Sequence, residues 1–382
     1  MRPLLGLAVV GVVGFVVLGS VTSALGPVLP TLRARHDLDA SGAAWLLTAF
    51  SLGATVGVLL AGIVQRRVPD RTSLAVGSGL VFAGCALLPA ADDAVAAIGV
   101  LLLIGLGFGA VDLLLNLVLA GAGRHGSLLM AVSAAFGVGA VGMPLLVGWH
   151  PGRVDLPFWT CAGGALLLAA LTRWLDLPAP RRRVPPGCRV LPGRAGPAGG
   201  RIAVVLLGAV LLGYVTLEGG VAGWETTHLH ATGGSSPSEA AGAVALFWGG
   251  LTIGRLLAAP LVARLRPRRL LLLALGASTL SLLAAATLGV VPGAAVVAYA
   301  LAGLSIAPVF PAVIAWHTMR YPGGEGVVVL FATALAGPVL TAPVTGALVD
   351  AHGTQAIPWI LTALAAVTTA LVVATRASRV LR

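Results

Sequence analysis

Residues 50–67 read FSLGATVGVLLAGIVQRR, and residues 247–264 read FWGGLTIGRLLAAPLVAR. At an offset of 197, Phe50 meets Phe247, Gly53 meets Gly250, Gly57 meets Gly254 and Arg67 meets Arg264. Each stretch is apolar, rich in small residues and closed by arginine. The chain has 382 residues, so an offset of 197 is close to half its length. That is the mark of a duplicated unit, in which one half of the chain repeats the other.

Outward from these two stretches, the same character continues. Hydrophobic residues make up 58% of the chain and charged residues only 10%. The mean hydropathy is +1.00. A soluble chain of this length needs far more charge to cover its surface. Apolar runs of about 20 residues recur throughout, the length that spans a hydrocarbon layer. They do not alternate apolar with polar residues, which excludes a transmembrane β-barrel. The 52 glycines suit close helix contact in lipid.

Twelve helices are predicted: 4–31, 42–65, 72–90, 95–121, 127–149, 156–175, 201–228, 239–263, 269–290, 293–318, 326–349 and 355–375. The first has too long an apolar run for a cleaved leader and reads as a retained span. Between the sixth and seventh lies LPAPRRRVPPGCRVLPGRAGPAGG, rich in Pro, Gly and Arg. The expected organisation is a six-helix bundle over 1–175, a cytoplasmic linker over 176–200, and a second six-helix bundle over 201–382.

The net charge is +11 and every basic residue is arginine. The arginines sit in short loops, so the charge reads as membrane topology and not as nucleic-acid binding. With a cytoplasmic N-terminus, twenty arginines fall inside and only Arg33, Arg35 and Arg153 outside, with Arg255 inside a helix. Asp37, Asp39, Asp92, Asp93 and Asp155 fall outside. Both termini are therefore expected in the cytoplasm. The arginine-only, Gly/Ala-rich composition suggests a GC-rich bacterium, hence a bacterial plasma (inner) membrane. Cys85, Cys161 and Cys188 form no CxxC pair and read as neither disulfide nor metal ligands.

Several helices carry motifs in a consistent order. The fourth reads GLGFGAVDLLLN, the fifth AAFGVGAVGMPLLVG and the seventh LLGYVTLEGGVAGWETTHL. The eighth reads ALFWGGLTIGRLLA and the tenth LAGLSIAPVFPAVIA. With twelve helices in two halves, this series resembles the major facilitator superfamily, and within it the fucose permease-like branch of sugar:proton symporters. The loop GIVQRRVPDRTS departs from the superfamily's usual pattern, with Arg66 in place of an acid and Asp70 displaced. The first helix carries no acid, so a two-acid coupling scheme is not carried over.

The resemblance implies an all-α polytopic membrane protein, two pseudo-symmetric six-helix bundles in the major facilitator fold. It also implies that the first, fourth, seventh and tenth helices line a central cavity. Asp112 and Glu218 would then face the transport path. A charge in lipid costs about 2.5–3.5 kcal/mol on insertion scales, so acids there mark ion pathways or pairs. Either acid is a candidate for proton coupling. The structural alternative is a packing network: Asn116 lies one turn from Asp112 on the same face. Arg255 is the natural partner for an acid, as a counter-ion or as a donor to substrate hydroxyls. Tyr214, Trp224 and Trp248 are candidates to stack on a sugar ring, or else pack. With Asn116 and Arg255 they complete the candidate substrate-binding set.

Glu225 reads as interfacial at the outer end of the seventh helix, and His317 with Trp316 as interfacial at the inner end of the tenth. Asp350 and His352 read as a solvated cap. Pro308 and Pro311 are expected to break the tenth helix. No nucleotide-binding or hydrolase motif stands in a usable context, so neither an enzyme, a cofactor nor a metal site is expected. The energy source is then an ion gradient, or none. The expected function is proton-coupled symport of a sugar or related polyhydroxylated solute by alternating access. Its partners are the small-molecule substrate, protons and the lipid bilayer, with no nucleic acid, and the unit is a monomer. The alternative is proton-coupled efflux of drugs or natural products, since Gly139, Gly142 and Pro144 partly match an antiporter pattern that Met143 breaks. A third possibility is a sensor or scaffold, against which the intramembrane acids argue.

Overall fold

In lipid every backbone N–H and C=O needs a partner within the protein, and a single helix supplies them all. The computed structural model describes residues 2–65, 67–122, 132–174, 197–232, 234–289, 291, 293–320 and 327–375. Among these the chain is helical, with no strand. Eleven helices are long and apolar enough to cross a membrane, and Ala135–Trp149 is a shorter apolar helix. The protein is a multi-pass membrane protein.

The chain divides into two compact units, Met1–Pro185 and Pro186–Arg382. The first holds α1 (Arg2–Arg35), α2 (Ala40–Val64), α3 (Asp70–Leu87, continued by a short 3-10 turn at Leu88–Ala90), α4 (Ala94–Ala122), α5 (Ala135–Trp149) and α6 (Asp155–Trp174). The second holds α7 (Pro197–Thr232), α8 (Pro237–Arg264), α9 (Pro267–Leu288), α10 (Ala294–Ile306), α11 (Val309–Arg320), α12 (Val327–His352) and α13 (Ala356–Ala374). The expected linker over 176–200 falls mainly outside the described residues, as does the start of the fifth predicted helix.

Local signals set the helix ends. Asp39 caps α2 by accepting from the Gly42 N–H at 2.6 Å. Ser236 and Glu239 form a reciprocal capping box at the start of α8. As expected from Pro308, the tenth span is interrupted: α10 ends at Ile306, Ala307 and Pro308 form a turn, and α11 resumes at Val309, with Pro311 accommodated in its first turn and breaking nothing. Pro308 cannot donate a helical hydrogen bond and crowds the turn before it.

The packing within each unit follows one plan. In the first, α1 packs on α5 and α6, α2 on α4, and α3 on α4 and α6. In the second, α7 packs on α12 and α13, α8 on α10, and α9 on α10 and α13. The glycines that betray the repeat in sequence lie at its tightest contacts. A Cβ on Gly53 would be driven into the Leu102 carbonyl oxygen of α4, and one on Gly57 into that of Leu106. In the second unit, Gly250 and Gly254 abut the Ala300 and Leu304 carbonyls of α10 in the same way. The partner helices reciprocate, Gly105 against the Phe50 carbonyl and Gly303 against that of Phe247. Small residues hold helices together in lipid through such close backbone approach. Outside these contacts, large apolar side chains such as Val95, Val205 and Leu280 are left exposed, as suits a surface solvated by acyl chains.

Candidate functional site

In the second unit α7 presents Tyr214 and Glu218 one turn apart on a single face, and α8 brings Arg255 to them. Arg255 Nη2 lies 3.5 Å from Glu218 Oε1 and donates to the Tyr214 hydroxyl at 3.3 Å. The pairing is uneven in exposure: the Arg255 side chain is 36% exposed and that of Glu218 13%. Tyr214 is buried. Its ring lies 6.2 Å from that of Phe310 on α11, which in turn meets Phe331 of α12 edge-on at 5.3 Å. A guanidinium with an accessible side, a carboxylate held behind it and an aromatic backing make a site that can exchange one hydrogen-bonding partner for another.

The first unit carries the other acid. On α4, the Asn116 side-chain amide donates to Asp112 Oδ1 at 3.0 Å and to the Asp112 carbonyl at 2.8 Å. The spacing of four residues produces this contact without help from another helix. The structure thus joins Asp112 to Asn116, and Glu218 to Arg255 and Tyr214. Trp224 of α7 and Trp248 of α8 are each only 1% exposed. The Trp248 ring packs against Phe247 at 5.5 Å.

Two expectations are corrected. Glu225 is not interfacial: it is fully buried, at 0% exposure. Neither of its carboxylate oxygens has a hydrogen-bond partner among the described residues. His317 is likewise buried in α11 and does not reach the surface. Asp350 and His352 are exposed at the end of α12. Sequence reasoning also missed Tyr299 of α10, whose hydroxyl lies 3.0 Å from His228 Nδ1, with both residues buried. The available signal was spacing: Glu225 follows Glu218 by seven residues, two helical turns on one face. Among the described residues, no group of three His, Cys, Asp or Glu side chains is placed to hold a metal ion.

Two helical units built on one packing plan, with a charged cluster inside the second, define a polytopic membrane transporter. The chain belongs to the Major Facilitator Superfamily, whose model matches residues 11–217 and again 206–380. No curated protein matches the chain in sequence. Among solved structures, the xylose transporter XylE from E. coli, in a partially occluded inward-open conformation, is similar with a TM-score of 0.80 at 15% identity, covering 97% of each chain. A D-xylose-proton symporter is similar with a TM-score of 0.77 at 16% identity, again covering 97% of each chain. The nucleoside transporter NupG is similar with a TM-score of 0.73 at 15% identity, covering 98% of this chain and 99% of that one. At these identities the likeness is one of fold.

Proposed function

We propose that this transporter is a proton-coupled symporter of a sugar or related polyhydroxylated solute, working by alternating access. The observation that carries the reading is the Arg255–Glu218–Tyr214 cluster, with the guanidinium accessible and the carboxylate largely covered. While Glu218 is ionised it holds Arg255. Protonation of Glu218 removes the charge that holds the guanidinium, whose N–H donors can then turn to solute hydroxyls while Tyr214 keeps its contact. Loss of the proton recaptures Arg255 and weakens its grip on the solute. Proton and solute are thereby linked through one side chain. The fold neighbours named for D-xylose and nucleosides handle hydroxyl-rich solutes, which supports the substrate class.

In this reading Glu218 carries the proton, and Asp112 with Asn116 contributes a polar face on α4. Tyr214, Trp224 and Trp248 shape the solute region, by packing where they are buried. The domain reading is a bundle over 1–175, a linker over 176–200 and a bundle over 201–382. The branch within the superfamily is fucose permease-like. The protein resides as a monomer in a bacterial inner membrane, both termini cytoplasmic, as the arginine bias supports.

The second reading, proton-coupled efflux of drugs or natural products, is favoured by the apolar backing of the cluster, Phe310 and Phe331. Proteoliposomes with a trapped pH dye separate the two. Inward proton flow on adding a hexose, a pentose such as D-xylose, a polyol or uridine, abolished in Glu218→Gln, supports symport. Silence with all of these, and proton exchange against a lipophilic drug, replaces symport with efflux.

A further inference from the structure

Glu225 lies two turns beyond Glu218 on α7, about 10.5 Å along the axis. An ionised carboxyl buried in this way is costly without a partner, and Glu225 has no hydrogen bond among the described residues. Tyr299 meets His228 Nδ1 at 3.0 Å, with the rings edge to face at 5.8 Å. His228 follows Glu225 by three residues, so both lie on one side of α7. The His228 ring approaches Gly289, where α9 gives way to the connection to α10. Two residues further on, His230 is exposed at the end of α7. The three groups therefore lead from a buried acid to the end of the bundle that the arginine bias assigns to the outside.

The other titratable groups on elements packed against α7 are few. Helix α8 offers Glu239, Arg255 and Arg264; α11 offers His317 and, at its last position, Arg320; α12 offers Asp350 and His352; α13 offers none. Arg255 is engaged by Glu218, and Glu239 by Ser236 at the helix start. Asp350 and His352 are exposed.

We propose that Glu225 is a second proton-binding site, which exchanges its proton with the outer end of the bundle through Tyr299 and His228. His228, neutral with its proton on Nε2, accepts the Tyr299 hydroxyl proton at Nδ1. Tyr299 takes the Glu225 carboxyl proton in the same movement, after a turn of the flexible glutamate side chain. His228 then releases its Nε2 proton toward the helix end, and it is reset when the ring turns outward, gives up its Nδ1 proton and takes one on Nε2 from solvent. One proton leaves, Tyr299 remains a phenol and Glu225 becomes a carboxylate. The inference rests on the proton-coupled reading only in supposing that protons move through this unit.

The test needs no solute. Infrared difference spectra of the full-length protein in lipid nanodiscs are recorded between pH 5 and pH 10, with hydronium as the only probe. The expected result is a titrating carboxylic-acid carbonyl band that is lost in Glu225→Gln and kept in Glu218→Gln. After a pH jump, Tyr299→Phe and His228→Gln slow the change of that band at least tenfold and leave its size unchanged. These two variants also carry the test if Glu225→Gln fails to fold. The proposal is overturned if no band is lost in Glu225→Gln, or if the rate in both relay variants equals that of the unsubstituted protein. A second band, lost in Glu218→Gln, is expected for the coupling acid; its absence leaves the proposal standing and counts against Glu218 as the proton carrier.

Discussion

A single nitrogen of Arg255 serves two partners one turn apart on α7: the Glu218 carboxylate at 3.5 Å and the Tyr214 hydroxyl at 3.3 Å. The partners differ in what they lose when the contact goes. Arg255 is partly exposed and can turn to solvent, whereas Glu218 is mostly covered.

Arg255→Gln should therefore destabilise more than Glu218→Gln. Leaving a covered carboxylate without its cation costs about 3 kcal/mol, the low end for a buried pair because Arg255 is part-exposed, whereas Arg255 without the Glu218 charge keeps Tyr214 and loses about 1 kcal/mol. The double variant should melt close to Glu218→Gln. A thermal double-mutant cycle in detergent checks this, and additive losses would mean that the two side chains do not interact.

The Asp112–Asn116 contact predicts an opposite pattern in the first unit. Asp112→Asn keeps an oxygen to accept from Asn116 and should change stability by no more than about 0.5 kcal/mol. Asn116→Ala removes both hydrogen bonds and should cost about 1–2 kcal/mol. Melting curves of the two single variants decide. If Glu218 is the coupling acid, Asp112→Asn also retains the proton signal in proteoliposomes.

Glycines in the two units sort into those that touch a backbone and those that touch nothing. Gly53 and Gly250 each stand against a carbonyl of the neighbouring helix, and Gly79 and Gly276 have open space. Alanine at Gly53 or Gly250 should destabilise by about 1–3 kcal/mol through overpacking. Alanine at Gly79 or Gly276 should be neutral or stabilise by up to about 1 kcal/mol, through helix propensity. Equal melting shifts at all four positions would refute the close-approach account.

Cys85 of α3 and Cys161 of α6, isolated in sequence, are brought together as buried free thiols. Buried thiols in apolar surroundings are unreactive. In the folded protein both should resist a maleimide that labels them fully in SDS, as peptide mass spectrometry would show. Rapid labelling of either in the native state would contradict their burial.

Much of the fold is legible in the sequence because lipid leaves few alternatives. Apolar runs give the spans, the offset of 197 gives the repeat, and Pro308 marks the interruption in the tenth span. The candidate site is legible in part. Spacing of four joins Asn116 to Asp112, and charge alone nominates Arg255 as a partner for an acid. Which acid it meets depends on how α8 crosses α7, and no local pattern records that. Glu225 and His317 were misread for a common reason. Hydropathy marks where a helix nears water, but not whether neighbouring helices still enclose it there; α7 runs on to Thr232 and keeps Glu225 covered.

The repeat in packing is not a repeat in chemistry. At the offset that superposes α2 on α8, Arg255 corresponds to Val58. The Gly105–Gly303 correspondence likewise carries Asp112 onto Phe310. The two units share a packing frame and differ in the polar groups placed upon it.

That frame has a mechanical consequence. Where glycine lets one helix rest its backbone on the carbonyls of another, no side chain remains between them to yield. The pairs α2 with α4 and α8 with α10 are thereby braced against sliding past one another. In the second unit that bracing runs on to the interruption itself, since Gly254 of α8 also stands against Ala307. A bend at Pro308 would leave α8 and α10 in register.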